Sequence, residues 1–331
     1  MAKGGGKVSH KRPNPIRVVG EYAYMVGMER LVRLLPIGAH LGLGRFLGTL
    51  TRWVDVRHRR VARENVAWAL GLGPREARDL VRRVYRNVCT NFVEDLMLPK
   101  ILKRMKLEDF SVIEGAEHLK AALARGKGAI MVTGHFGNWE LAGRALAHVA
   151  GPTLVVARQL SNPLVEARAR RFRESGGLRV VGRKGALRHV LSHLRAGGCV
   201  AMLIDQNQRA GGVFVPFFGK LASTVPSPAS LALKYDVPVL AGYTYRMGHA
   251  LRHCFHCEPP FELIRTGDYR ADVVANTALF TARIEEFVRR HPDQWFWLHS
   301  RWRKRPPEER ASDGTGRDDE SDDGEEGSDL D

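Results

Sequence analysis

Apolar positions recur at intervals of three and four from residue 16 to about 105, most clearly across 61–70 and again through 74–97. That period predicts helices. From about residue 106 the pattern changes to short apolar runs separated by amphipathic segments. Strands are predicted at 111–114, 128–134, 153–157, 179–181, 199–204, 237–245 and 252–258. Helices are predicted around 138–150, 163–175, 186–196 and 227–235, with a long final helix over 271–290. Such alternation argues an α/β fold, a sheet with helices on its faces. Ligands in that architecture sit beyond the carboxyl ends of strands. The division expected is a basic disordered 1–15, a helical region 16–105, an α/β domain 106–305 and a disordered acidic tail 306–331. No internal repeat is present.

One turn in this pattern carries chemistry. The apolar run Ala129-Ile130-Met131-Val132 reads as a buried strand and Leu141 to Leu146 as a helix. Between them lies Gly134-His135-Phe136-Gly137-Asn138-Trp139-Glu140. An imidazole accepts a proton near neutral pH, and a carboxylate on its other nitrogen fixes the tautomer. Gly134 and Gly137 are expected to let a substrate approach the backbone. Taken alone, the spacing fits a capped helix start with a partly exposed histidine equally well.

Charge narrows the partners. Net charge is +16 over 331 residues, yet 311–331 alone carries −9, so the remainder carries +25. A body that basic seeks polyanions. No zinc-finger or RNA-binding signature is present, so nucleic acid is not the expected partner. Basic residues beside tryptophans and apolar runs suit a membrane surface. Segments 16–35 and 34–50 are interrupted by charges, Pro36 and His40, and fall short of the roughly 20 apolar residues a spanning helix needs. Helices lying in the interface are expected; ordinary packing on the domain is the alternative. The basic, polar start is not expected to act as a secretory signal. Cys89 and Cys199 read as buried thiols in a reducing compartment. Cys254-Phe255-His256-Cys257, beside His253, reads as a strand rather than half a zinc site, because further ligands with suitable spacing are missing.

Several ordered blocks extend the picture. They are Arg63-Glu64-Asn65-Val66-Ala67-Trp68-Ala69-Leu70, the HFGNWE turn, Arg158, Asn162-Pro163-Leu164 and Ile204-Asp205-Gln206-Asn207. Then come Val213-Phe214-Val215-Pro216-Phe217-Phe218-Gly219 with Thr224, Val237-Pro238-Val239, and finally Gln294-Trp295-Phe296-Trp297-Leu298-His299-Ser300-Arg301-Trp302. In these blocks the chain resembles the lysophospholipid acyltransferase superfamily, and within it the late acyltransferases of lipid A biosynthesis, the lauroyl and myristoyl acyltransferases. The resemblance implies a glycerolipid acyltransferase-like fold, with a central mixed sheet flanked by helices and an N-terminal membrane-associating region.

It also implies roles. His135 would be the general base and Glu140 the carboxylate that orients it. Acyl transfer would run directly from donor to acceptor, in keeping with the absence of a G-x-S-x-G elbow. Counted from Asn162-Pro163-Leu164, Arg173 best matches a functional arginine at the end of the following helix, with Arg171 second. Arg168 and Arg170 read as a solvated face. Asp205 and Asn207 stand where the family has D-x-D, so the second carboxylate has become an amide. Asn138, Arg158, Asn162, Arg171, Asp205, Asn207, Phe217, Phe218 and Thr224 are the expected substrate contacts, the phenylalanines as acyl-channel lining or core. The tryptophans of the last block would sit at headgroup depth or pack on the core.

The expected donor is acyl carrier protein or coenzyme A, with no metal or cofactor. The expected acceptor is a lipid A precursor at the cytoplasmic face of a bacterial inner membrane. Other acceptors are another glycolipid, a phospholipid or an amino-lipid. A non-catalytic basic binder of membrane or nucleic acid is the reading from a different class.

Overall fold

The computed structural model describes residues 14–307. The expectations for the first 13 residues and for 308–331 lie outside the described residues. The predicted helical region forms α1 (Pro15–Leu34), α2 (Ala39–Val54), α3 (Val56–Leu70) and α4 (Pro74–Ile101). Asn14 caps α1, whose N1 position is Pro15. The Asp55 carboxylate accepts from His58 N to start α3, and Gly71 in the left-handed region stops it.

The α/β part follows as α5 (Leu107–Phe110), β1 (Ser111–Glu114), α6 (Ala116–Ala124), β2 (Ala129–Thr133) and α7 (Trp139–Ala150). Next come β3 (Thr153–Ala157), α8 (Pro163–Glu174), β4 (Leu178–Gly182), α9 (Ala186–Arg195) and β5 (Cys199–Leu203). A hairpin, β6 (Val213–Phe217) and β7 (Lys220–Thr224), precedes α10 (Ser227–Tyr235), β8 (Val239–Arg246), β9 (His253–Pro260) and α11 (Tyr269–Arg290). The hairpin, its phenylalanines expected as acyl-channel lining or core, and the short α5 and α6 are the elements the periodicity did not separate.

Among the described residues seven strands form one sheet in the order β1-β9-β8-β2-β5-β3-β4. β8, β2, β5, β3 and β4 are mutually parallel; β9 is antiparallel to β8 and parallel to β1, so the sheet is mixed. Side chains alternate across it. Ile130 and Val132 face a core shared with α3, α4, α9, α10 and α11, while Ala129 and Met131 face α6 and α7. The sequence boundary near residue 105 is therefore not a boundary of the core. Residues Val81 and Val84 of α4 are fully buried in the same cluster as the central strands.

Connectivity decides where a site can form. From β2 the chain crosses over β5 to β3; from β5 it travels the other way, to β8. Adjacent parallel strands whose connections leave in opposite directions open a crevice at their carboxyl ends. Here that crevice lies between β2 and β5.

Candidate active site

β2 and β5 are paired with Thr133 opposite Leu203, so residues two beyond each strand end meet across the crevice. Those residues are His135 and Asp205. The Asp205 Oδ1 lies 2.8 Å from His135 Nδ1, and its Oδ2 accepts from His135 N at 2.7 Å and from Trp295 Nε1 at 2.8 Å. The Asp205 side chain is 2% exposed and the His135 side chain 21%. Burial by itself would raise the Asp205 pKa; the charge and hydrogen bonds of His135, with the Trp295 donor, outweigh it and hold the carboxyl down at about 2. A carboxylate on Nδ1 makes that nitrogen the donor and leaves the lone pair on Nε2.

Gly134 makes room for this contact. A methyl group there would stand 2.9 Å from Asp205 Oδ2. Gly137 has φ +45°, and a methyl there would meet Thr244 O at 2.5 Å. Both glycines accommodate neighbouring protein atoms, where the sequence suggested room for substrate.

Glu140, expected on the imidazole, is held elsewhere. It sits in the first turn of α7, and Arg173 grips it in a two-pronged pair, Nε to Oε2 at 3.0 Å and Nη2 to Oε1 at 2.6 Å. The Glu140 bond and its charge raise the already high Arg173 pKa, against the effect of burial. The orienting carboxylate in this geometry is Asp205, and spacing along the chain could not reveal it because the two residues are 70 positions apart.

The turn between His135 and Glu140 rests on α4. Asn138 caps α7 by accepting from Leu141 N at 2.9 Å, and donates to Glu94 at 3.1 Å and Asp95 at 2.8 Å. Asn91 donates to Gly137 O at 2.5 Å. Glu94, fully buried, also takes Arg246 Nη2 at 2.6 Å and faces His253 Nε2 at 2.9 Å. Burial opposes its ionisation, yet His253 and Arg246 hold its pKa well below the usual range. Asp95 goes the other way: burial and the nearby Glu140 push it well above the usual range, despite the Asn138 donor. Asn91 and Glu94 interrupt an apolar helical stripe, Leu80, Val84, Leu98 and Ile101, which is the signal the sequence offered for them.

The last block wraps the turn from the other side. Phe136 and Trp295 form an antiparallel bridge, Gly137 N donates to Gln294 O at 2.8 Å, and Phe296 N to His135 O at 3.1 Å. Arg301, fully buried, donates to Gln206 O at 3.0 Å and to Ser223 O and Thr224 Oγ1. Burial lowers its pKa to about 10. His299 Nε2 accepts from Asn207 N at 2.9 Å. Trp295, Trp297 and Trp302 are buried, so the alternative of a headgroup-depth belt does not hold for them.

Several expected contacts are structural. Asn138 is buried as a cap. Asn162 caps α8, accepting from Leu164 N at 3.0 Å, and reaches α1 through Val18 O at 2.9 Å and Glu21 at 3.0 Å. Thr224 is buried on Arg301, while Phe217 and Phe218 pack against Trp295, Trp302 and Trp297 in the core. Arg158 and Arg171 are exposed, and Asn207 is half-buried beside the site. Arg168 is not a solvated residue: it pairs with Glu29 of α1, a carboxylate 5% exposed. His253-Cys254-Phe255-His256-Cys257 forms most of β9, as the strand reading expected.

Comparison with known proteins places this geometry in context. The family described as bacterial lipid A biosynthesis acyltransferase matches residues 10–304. The chain is 30% identical over 246 residues to the phosphatidylinositol mannoside acyltransferase of Mycobacterium tuberculosis, covering 72% of this chain and 76% of that one. It is 26% identical over 275 residues to the lipid A biosynthesis palmitoleoyltransferase of Escherichia coli, covering 82% and 87%. It is 23% identical over 289 residues to the lipid A biosynthesis lauroyltransferase of the same organism, covering 85% and 90%.

Proposed function

The chain belongs to the bacterial lipid A biosynthesis acyltransferase family and is an acyltransferase; on that premise we propose that it moves a fatty acyl chain from the thioester of acyl carrier protein to a hydroxyl of an acylated glycolipid, with His135 as general base. The His135–Asp205 pair at the β2–β5 crevice carries this reading. The acceptor hydroxyl gives its proton to Nε2 as its oxygen attacks the thioester carbonyl. Asp205 stabilises the imidazolium that forms and holds its orientation, taking the role first expected of Glu140. The tetrahedral oxyanion collapses, the carbon–sulfur bond breaks, and the thiolate takes the proton from His135. Arg173 stabilises the oxyanion, with Glu140 fixing the guanidinium. No acyl-enzyme is required.

The basic body favours an anionic lipid and an acidic carrier protein by steering. A lipid A precursor is the first acceptor, and a membrane surface the place of reaction. Exposed apolar side chains on α1 and α2, including Ile16, Tyr24, Leu34, Phe46 and Trp53, support membrane contact. The identity shared with the mycobacterial enzyme favours a mannosylated phosphoinositide as the second acceptor.

The decisive experiment combines mass analysis of lipid extracts from an overexpressing strain with transfer by purified protein and acyl carrier protein. A glycolipid heavier by one acyl chain is expected. His135→Ala should cost about 10²–10⁴-fold in rate while leaving the fold intact. An unchanged rate, or no acylated lipid, overturns the proposal.

A further inference from the structure

The proton-accepting nitrogen of His135 is already occupied. The amide nitrogen of Gln206 lies 3.3 Å from His135 Nε2. Because Nδ1 donates to Asp205, Nε2 carries a lone pair, and an amide N–H is the group of Gln206 that matches it. The contact is built into the loop. Gln206 follows Asp205, its carbonyl accepts from buried Arg301 at 3.0 Å, and the next amide, Asn207 N, is tied to His299 at 2.9 Å. Asp205 is buried, whereas Gln206 is exposed. A backbone tied by these two bonds thus places one solvent-facing amide at the reactive atom.

A histidine that activates an alcohol also activates water. Water oxygen would bond to the thioester carbon, its proton would pass to Nε2, and the carbon–sulfur bond would break. The thiolate would then take the proton, leaving a fatty acid and a free thiol. We propose that Gln206 is a stopper on His135 Nε2, which keeps water off the base until the acceptor hydroxyl displaces the amide, and so directs the acyl group to lipid instead of hydrolysis. This inference rests on His135 being the base. A neutral hydrogen bond is weak enough to yield to a bound alcohol, an exchange of roughly 2- to 12-fold.

Two measurements on the full-length protein test it. Diethyl pyrocarbonate modification of His135, followed by peptide mass mapping, reads access to Nε2 without any substrate. Gln206→Ala, and Gln206→Asn with its shorter reach, should raise the rate roughly 2- to 12-fold. Second, with acyl carrier protein thioester alone, both variants should release free thiol faster by a similar factor, and this gain should vanish when His135→Ala is added. With acceptor lipid, their transfer-to-hydrolysis ratio should fall. An unchanged modification rate overturns the stopper. So does a loss of transfer with unchanged hydrolysis, which would make Gln206 a substrate grip. Failure of the wild-type protein to transfer would sink the function proposed above, while the modification rate would still decide the stopper.

Discussion

At the scale of single residues, two carboxylates compete for the role of orienting His135, and their surroundings separate them. Asp205 is buried with its oxygens bonded to His135 Nδ1, His135 N and Trp295, while Glu140 is clamped by Arg173. Asp205→Asn should therefore cost about 10²–10⁴-fold in kcat/KM, because the amide permits the wrong tautomer. Glu140→Gln should cost less; equal losses in steady-state rates would return the orienting role to Glu140. Stability should follow Asp205 as well. Its folded pKa of about 2 lies below the ordinary 3.8, so its contribution is complete above about 4 and is lost as pH falls toward 2. Acid titrations of wild type and Asp205→Asn should converge at the low end.

Arg173 acts through geometry as much as charge. A bidentate, charge-assisted pair contributes about 1.5–3 kcal/mol. Arg173→Ala should lower turnover sharply and Arg173→Lys should restore only part, since an ammonium cannot form the fork. Full recovery by lysine in a turnover assay would mean that a point charge suffices.

At the scale of elements, α4 is the floor of the site. It supplies Asn91, Glu94 and Asp95 to the turn after β2, and Glu94 also ties in β8 through Arg246 and β9 through His253. Removing one partner of a buried ionic cluster costs about 3–5 kcal/mol. Glu94→Gln should lose that much in denaturant unfolding at neutral pH. Asp95 has the opposite sign. Its raised folded pKa means that its contribution falls as pH rises past the ordinary 3.8, so Asp95→Asn should be neutral or stabilising at pH 7. A large destabilisation by Asp95→Asn would show that the ionised form is the one Asn138 holds.

At the scale of the whole molecule, a basic body meets an apolar surface on α1 and α2. Among the described residues no helix is long and apolar enough to cross a membrane. Attachment in the interface would combine apolar burial with about 1 kcal/mol per basic residue near anionic lipid, and only the second weakens with salt. High salt should release the protein partly, and deletion of residues 1–50 should release much of it. A full-length protein wholly soluble at low salt would defeat interfacial attachment. The tryptophans of the last block are expected to contribute little, because they are buried.

Periodicity by itself determined the helical first third, the main-sheet strands and the turn that bears His135, because those depend on local spacing of apolar residues. It determined little at Val213 to Thr224, where the aromatic residues read equally as acyl-channel lining and as core, and the antiparallel β6–β7 hairpin emerged only in the structure. The family resemblance pointed to Glu140, five positions along the chain, as the partner of His135, while the spacing alone fitted a capped helix start equally well. Tertiary structure assigned that contact to Asp205, because parallel pairing of β2 with β5 brings their carboxyl ends together regardless of chain distance. The same holds for Glu94, Trp295 and Arg301. Each is buried and polar or amphipathic, and its partners are fixed only when distant segments pack and most buried donors and acceptors are paired.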